Sequence, residues 1–95
     1  MANYKLVFKK SVTKDLRPIP NQDVVRILQR MEQLQENPRP VDSEKLSGQE
    51  RYRVRQGLYR IIYEVVDELL VVTVVKVGHY IPPTLRQPLI KYHES

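Results

Sequence analysis

The sequence predicts an α+β domain in which an N-terminal strand and a helical hairpin pack on a mainly antiparallel four-stranded sheet. Three observations predict it. After Asn21, Val24, Ile27, Leu28, Met31 and Leu34 recur at helical spacing, with Arg26, Gln29, Arg30, Gln33 and Glu36 on the other side. From Arg51 to Arg55, arginines alternate with Tyr52 and Val54 at the period of a strand. Leu69 to Val75 is then a nearly unbroken apolar run of strand-forming residues, with Thr73 its single polar member. A strand, two helices and then three strands joined by short turns imply this class.

Each element has a local cause. Tyr4 to Phe8 is rich in strand formers and reads as the first strand. Ser11 is suited to cap a short helix that runs through Leu16 and is stopped by Pro18 and Pro20. Asn21 is a good cap for the second helix, with Asp23 in the first turn, where the helix dipole favours negative charge. That helix ends at Asn37-Pro38, and its apolar stripe faces the sheet. Pro38 to Ser47 reads as loop. Gln56-Gly57-Leu58 is expected to turn the chain, Gly57 supplying a positive φ, and Tyr59 to Val66 returns. Asp67-Glu68 makes a tight turn into the apolar run, which reads as a central strand covered on both sides and ends at Gly78. Beyond His79, Pro82, Pro83 and Pro88 predict an irregular tail, with a short helix near Leu85.

The 95 residues fit one domain, spanning 1–95, that buries somewhat over ~60% of its unfolded surface. No apolar run is long enough to cross a bilayer, and the N-terminal stretch MANYKLVFKK lacks the apolar segment of a signal peptide, so a cytoplasmic protein without a membrane partner is expected. The chain has no cysteine, which excludes disulfides, thiolate metal sites and cysteine nucleophiles. Its two histidines, His79 and His93, do not suggest a metal cluster, and no cofactor is expected.

A net charge of +5 favours an anionic partner. That charge is concentrated: Arg51, Arg53, Arg55 and Arg60 occur with no carboxylate between Arg51 and Tyr63. Alternation puts Arg51, Arg53 and Arg55 on one strand face, and the return strand brings Arg60 beside it. Arginine is always charged and grips phosphate oxygens through parallel hydrogen bonds.

The ordered segments ENPRP, KLSG, YRVRQGLYRIIYEV and VVTVVKVGH resemble the RelE/ParE superfamily of bacterial type II toxin–antitoxin systems, from Tyr4 to about His79. In its RelE branch, the resemblance implies a ribosome-dependent endoribonuclease that cleaves mRNA in the A site by metal-free attack of the 2′-hydroxyl. Such cleavage needs that hydroxyl deprotonated, the phosphorane stabilised and the leaving 5′-oxygen protonated. Matched to the family pattern, Arg60 stabilises transition-state charge, and Arg53 and Arg55 bind phosphate or lower the pKa of the 2′-hydroxyl. Arg51, Lys45 and Arg86 are the further RNA-binding candidates.

The chain departs from the RelE pattern after Gly78, where Tyr80 stands in place of an arginine and Leu85 and Arg86 lie near the place of a tyrosine. His79-Tyr80 is similar to the ending of YoeB-type toxins, which implies acid–base chemistry for His79 and base stacking for Tyr80. In that branch a glutamate ahead of the basic strand serves as base, and Glu44 and Glu50 are the nearest candidates. Tyr92-His93-Glu94 is a candidate to fold back on the site.

Two other readings of the same resemblance stand beside the nuclease: a ParE-like toxin that poisons gyrase by protein contact, and a catalytically weakened homologue acting mainly through antitoxin binding. The implied partners are a cognate RelB-like antitoxin, acidic and folding as it binds, the ribosome and mRNA, with operator DNA reached only through the antitoxin complex.

Overall fold

The computed structural model describes residues 3–80 apart from Ser47 and Gln49. In chain order the elements are β1 (Lys5–Phe8), α1 (Ser11–Leu16), α2 (Asn21–Glu36), β2 (Glu44–Lys45), β3 (Arg51–Gln56), β4 (Tyr59–Val66), a single 3-10 turn (Asp67–Leu69) and β5 (Val71–His79). The strands form one sheet in the order β1-β5-β4-β3-β2.

The sheet therefore has five strands rather than the four expected, and it is mixed. β2 is two residues long and sits among polar residues, so only its antiparallel pairing with β3 reveals it. β1 lies parallel to β5, from Lys5 opposite Val71 to Phe8 opposite Val74, while the other three pairings are antiparallel. Parallel neighbours need a long connection, and here the connection is everything between them.

Both helices lie on one face of the sheet. Val12 and Ile19 from the α1 region, and Ile27, Met31 and Leu34 from α2, pack against Tyr52, Val54, Tyr59, Ile61, Tyr63, Val65, Val72, Val74 and Val77. This is the surface that alternation in β3 and β4 presents to one side. The opposite face of β5 is only half-buried at Val71, Thr73 and Val75 among the described residues, so covering on both sides is not what they show. Tyr63, fully buried, donates its hydroxyl to the Pro38 carbonyl at 2.7 Å. Burial holds its phenol up at about 12.

Helix ends differ in detail from expectation. Both helices begin one residue early: Lys10 and Pro20 occupy the cap positions, and neither cap forms a side-chain hydrogen bond. The Pro20 carbonyl instead accepts from the Asp23 and Val24 amides, closing the first turn of α2. Gly57 has φ +61 in the two-residue turn between β3 and β4, as its position required. The turn after β4 is longer than expected: Asp67–Leu69 forms the 3-10 turn and Leu70, at φ 53, redirects the chain into β5.

β1 ends before β5 does. The uncovered part of β5 is met by α1, whose Asp15 carboxylate accepts the Val77 amide at 3.1 Å.

Leu34 is fully buried at the centre of this layer. Leu34→Ala is expected to lower unfolding free energy by about 2–5 kcal/mol in urea denaturation; wild-type stability in that variant would mean that α2 is not seated as described.

Candidate active site

The face of the sheet turned away from the helices carries the arginines. Cross-strand register arranges it in rows. One row holds Arg55, Arg60 and Gly78; the next holds Glu44, Arg53, Ile62 and Lys76; a third holds Arg51, Glu64 and Thr73. Directly opposite residues share a face, so this is a single surface.

Its arginines are not equivalent. Arg51 donates through Nε to Glu64 at 2.7 Å, and Arg53 is hydrogen-bonded to Glu44. Arg55 donates to the Gly57 carbonyl at 2.9 Å and lies 4.5 Å from the centre of the Tyr80 ring, a cation–π contact. Arg60 makes no ion pair among the described residues. One of its terminal nitrogens, Nη1, is shut off from solvent and has no hydrogen-bond partner among the described residues. The guanidinium lies over Gly78, with Cζ, Nη1 and Nη2 each 3.7 Å from where a β-carbon on that glycine would stand. An alanine would fit there; a larger side chain would lift the arginine.

Arg55 stands directly opposite Arg60. Like charges across a strand pair are unfavourable, and a guanidinium nitrogen without a partner is costly to keep buried. An anion between the two removes both costs. The hairpin end of this face therefore suits an anion, while Arg51 at the other end is already paired with Glu64.

The other expected site residues are distributed as follows. Tyr80 joins the arginine face, its amide donating to the Leu58 carbonyl at 2.8 Å. His79 does not. It pairs in register with Tyr59, on the helix side, with the two rings 5.2 Å apart. There it borders a cleft of about 240 Å³ shared with Lys14, Asp15 and Ile19. Lys45 is also turned from the arginines, in register with Tyr52 and paired with Glu50 at 3.0 Å. Glu44 lies on the arginine face and Glu50 does not take part in it. Arg86 and Tyr92-His93-Glu94 lie outside the described residues. Among the described residues no three of His, Asp and Glu are grouped to hold a metal ion, and no helix is long and apolar enough to cross a membrane.

Residues 6–80 match the model of the ParE toxin family of type II toxin–antitoxin systems. The chain belongs to this family. It is thus the toxin of a toxin–antitoxin pair. Its fold is similar to that of the isolated E. coli RelE toxin, at 26% identity and TM-score 0.72, covering 95% of this chain and 98% of that one. The archaeal RelE–RelB complex from Pyrococcus horikoshii matches at 28% identity and TM-score 0.70, covering 83% of this chain and 96% of that one. The RelBE2 toxin–antitoxin complex from Mycobacterium tuberculosis, at 22% identity, agrees in fold with TM-score 0.73 and coverage of 82% and 99%. No curated protein matches the sequence.

This ParE-family toxin also contains a polar latch that sequence reasoning missed. Arg39, from the ENPRP segment, donates to both Asp67 oxygens at 3.1 and 2.8 Å and through Nε to the Tyr52 hydroxyl at 2.8 Å. Tyr4 donates to the same Asp67 at 2.7 Å. The latch thus joins the residue before β1, the loop after α2, β3 and the turn before β5. Its signal was weak because its members are far apart in sequence. Arg39 and Tyr4 hold the Asp67 carboxyl below the usual range. A depressed carboxyl adds stability above its unfolded value and loses it as pH falls through the folded one. Asp67→Asn is therefore expected to be less stable than wild type at neutral pH, with the difference closing as pH falls through the depressed value of the folded-state carboxyl. Equal stability at neutral pH in thermal melts would show the latch to be idle.

Proposed function

We propose that this toxin is a ribosome-dependent endoribonuclease that cleaves mRNA in the A site. The observation that carries this reading is the Arg60 guanidinium, whose Nη1 has no hydrogen-bond partner among the described residues, faced by Arg55 and lying on Gly78. In the proposed step the 2′-oxygen attacks phosphorus and the P–O5′ bond breaks, leaving a 2′,3′-cyclic phosphate and a 5′-hydroxyl. Arg60 and Arg55 bind the non-bridging oxygens and stabilise the charge that grows on them in the phosphorane. Arg53 holds the approach of the chain. Glu44, hydrogen-bonded to Arg53 on the same face, takes the 2′-hydroxyl proton, and the departing 5′-oxygen takes one from water. Tyr80, stacked on Arg55, offers its outer side to an unpaired base. His79 has no part in this step, because its side chain lies across the sheet with Tyr59.

The partner we propose is an acidic antitoxin segment that folds as it binds and places carboxylates on Arg55 and Arg60. RelE–RelB complexes among the similar structures support such a partner. Translated mRNA as substrate puts the toxin in the cytoplasm, and operator DNA is reached through the antitoxin.

A second reading, gyrase poisoning by protein contact, is favoured by the ParE family match and by the turning away of His79. Induction of the toxin alone, with mapping of mRNA 5′ ends, separates the two. The nuclease reading expects cuts within codons of translated messages only, bearing 5′-hydroxyl ends. Arg60→Ala should lower cleavage about 10²–10³-fold while melting no lower than wild type, since it removes a buried nitrogen that lacks a partner among the described residues. Growth arrest with DNA damage and no cuts would replace this reading with the second.

A further inference from the structure

Val72 and Val74 of β5 point into the core, so a regular strand would send residue 76 inward as well. It does not. Ile62 pairs with Lys76 but Tyr63 pairs with Val74, so Val75 is an extra residue, a β-bulge. The bulge reverses the alternation: Val77 becomes the buried residue, Gly78 comes to lie beneath Arg60, His79 turns to the helix side, and Lys76 emerges exposed on the arginine face. Bulges re-aim side chains at the expense of ladder hydrogen bonds, and are common beside active sites.

Lys76 arrives among cations. It shares a row with Arg53 and Ile62, and it is the diagonal neighbour of Arg60, at about 7–8 Å between backbones. Among the described residues no carboxylate pairs with it, and Glu44 and Glu64 are engaged by Arg53 and Arg51. A fourth positive charge next to Arg53, Arg55 and Arg60 is unfavourable unless something anionic spans them. The Ile62 side chain beside it gives the lysine stem an apolar bed, leaving the ammonium at the surface.

We infer that Lys76 is a further phosphate-binding residue of this face, aimed there by the bulge at Val75, and that it receives the phosphate neighbouring the one held by Arg55 and Arg60. The inference rests on the nucleic-acid reading of the face, but not on cleavage. It is tested by equilibrium binding of a short single-stranded oligoribonucleotide, 2′-O-methylated so that it cannot be cut, to the purified toxin over a range of salt. Lys76→Gln should weaken binding roughly threefold at low salt and make the log–log salt slope shallower by about 0.7. Lys76→Arg should restore both, with thermal midpoints unchanged throughout. Lys14→Gln, a matched loss of charge on the helix side, should leave the slope alone. Wild-type affinity and slope in Lys76→Gln, an equal effect from Lys14→Gln, or no salt-dependent binding by the wild type would each overturn the inference. If binding behaves as expected while the wild type cuts no translated mRNA, the nuclease reading fails and Lys76 remains a phosphate ligand.

Discussion

One face of a small sheet must be dry for this chain to fold, and the rest of the molecule follows from that demand. Tyr52, Val54, Tyr59, Ile61 and Tyr63 alternate inward to meet α1 and α2. The residues between them must then point outward, and in β3 and β4 those residues are Arg51, Arg53, Arg55, Arg60, Ile62, Glu64 and Val66. Core packing and charge placement are thus two sides of one backbone periodicity. A one-residue slip would bury the arginines and expose the core together, so the geometry of the arginine face is guarded by the whole hydrophobic layer.

The outward face is graded rather than uniformly positive. Carboxylates at Glu44 and Glu64 take up Arg53 and Arg51, and what remains uncompensated collects at the hairpin end around Arg55 and Arg60. Under the proposed function this gradient would orient a polyanion, with a phosphate at the end where a guanidinium nitrogen lacks a partner among the described residues. The Arg39 latch stands apart from this surface chemically. It ties Tyr4, Tyr52 and Asp67 together and braces the strands from the helix-side loop and the β4–β5 turn.

Much of this was legible in the residues. The alternation of β3, the Gly57 turn and the stripe of α2 are local signals that formed where expected, except that Leu28 of the stripe lies exposed at the edge of the packed face. The tail of β5 shows what local signals miss. In a run of valines nothing distinguishes the residue that will be skipped, so the facing of Lys76, Gly78 and His79 could not be read, and His79 was grouped with arginines that lie across the sheet from it. The parallel partnership of β1 and β5, the two-residue β2 and the Arg39–Asp67 pair were hidden for a related reason. Each is a pairing between segments far apart in the chain, and carries little composition of its own.

The most direct measurement is a crystal structure of the toxin with a short RNA blocked at the 2′-oxygen of the cut site. The account predicts a phosphate between Arg55 and Arg60, with Arg60 Nη1 donating to it and the adjoining base against Tyr80. An RNA bound instead at the cleft beside His79 and Lys14, with the Arg60 guanidinium still unpartnered, would contradict it.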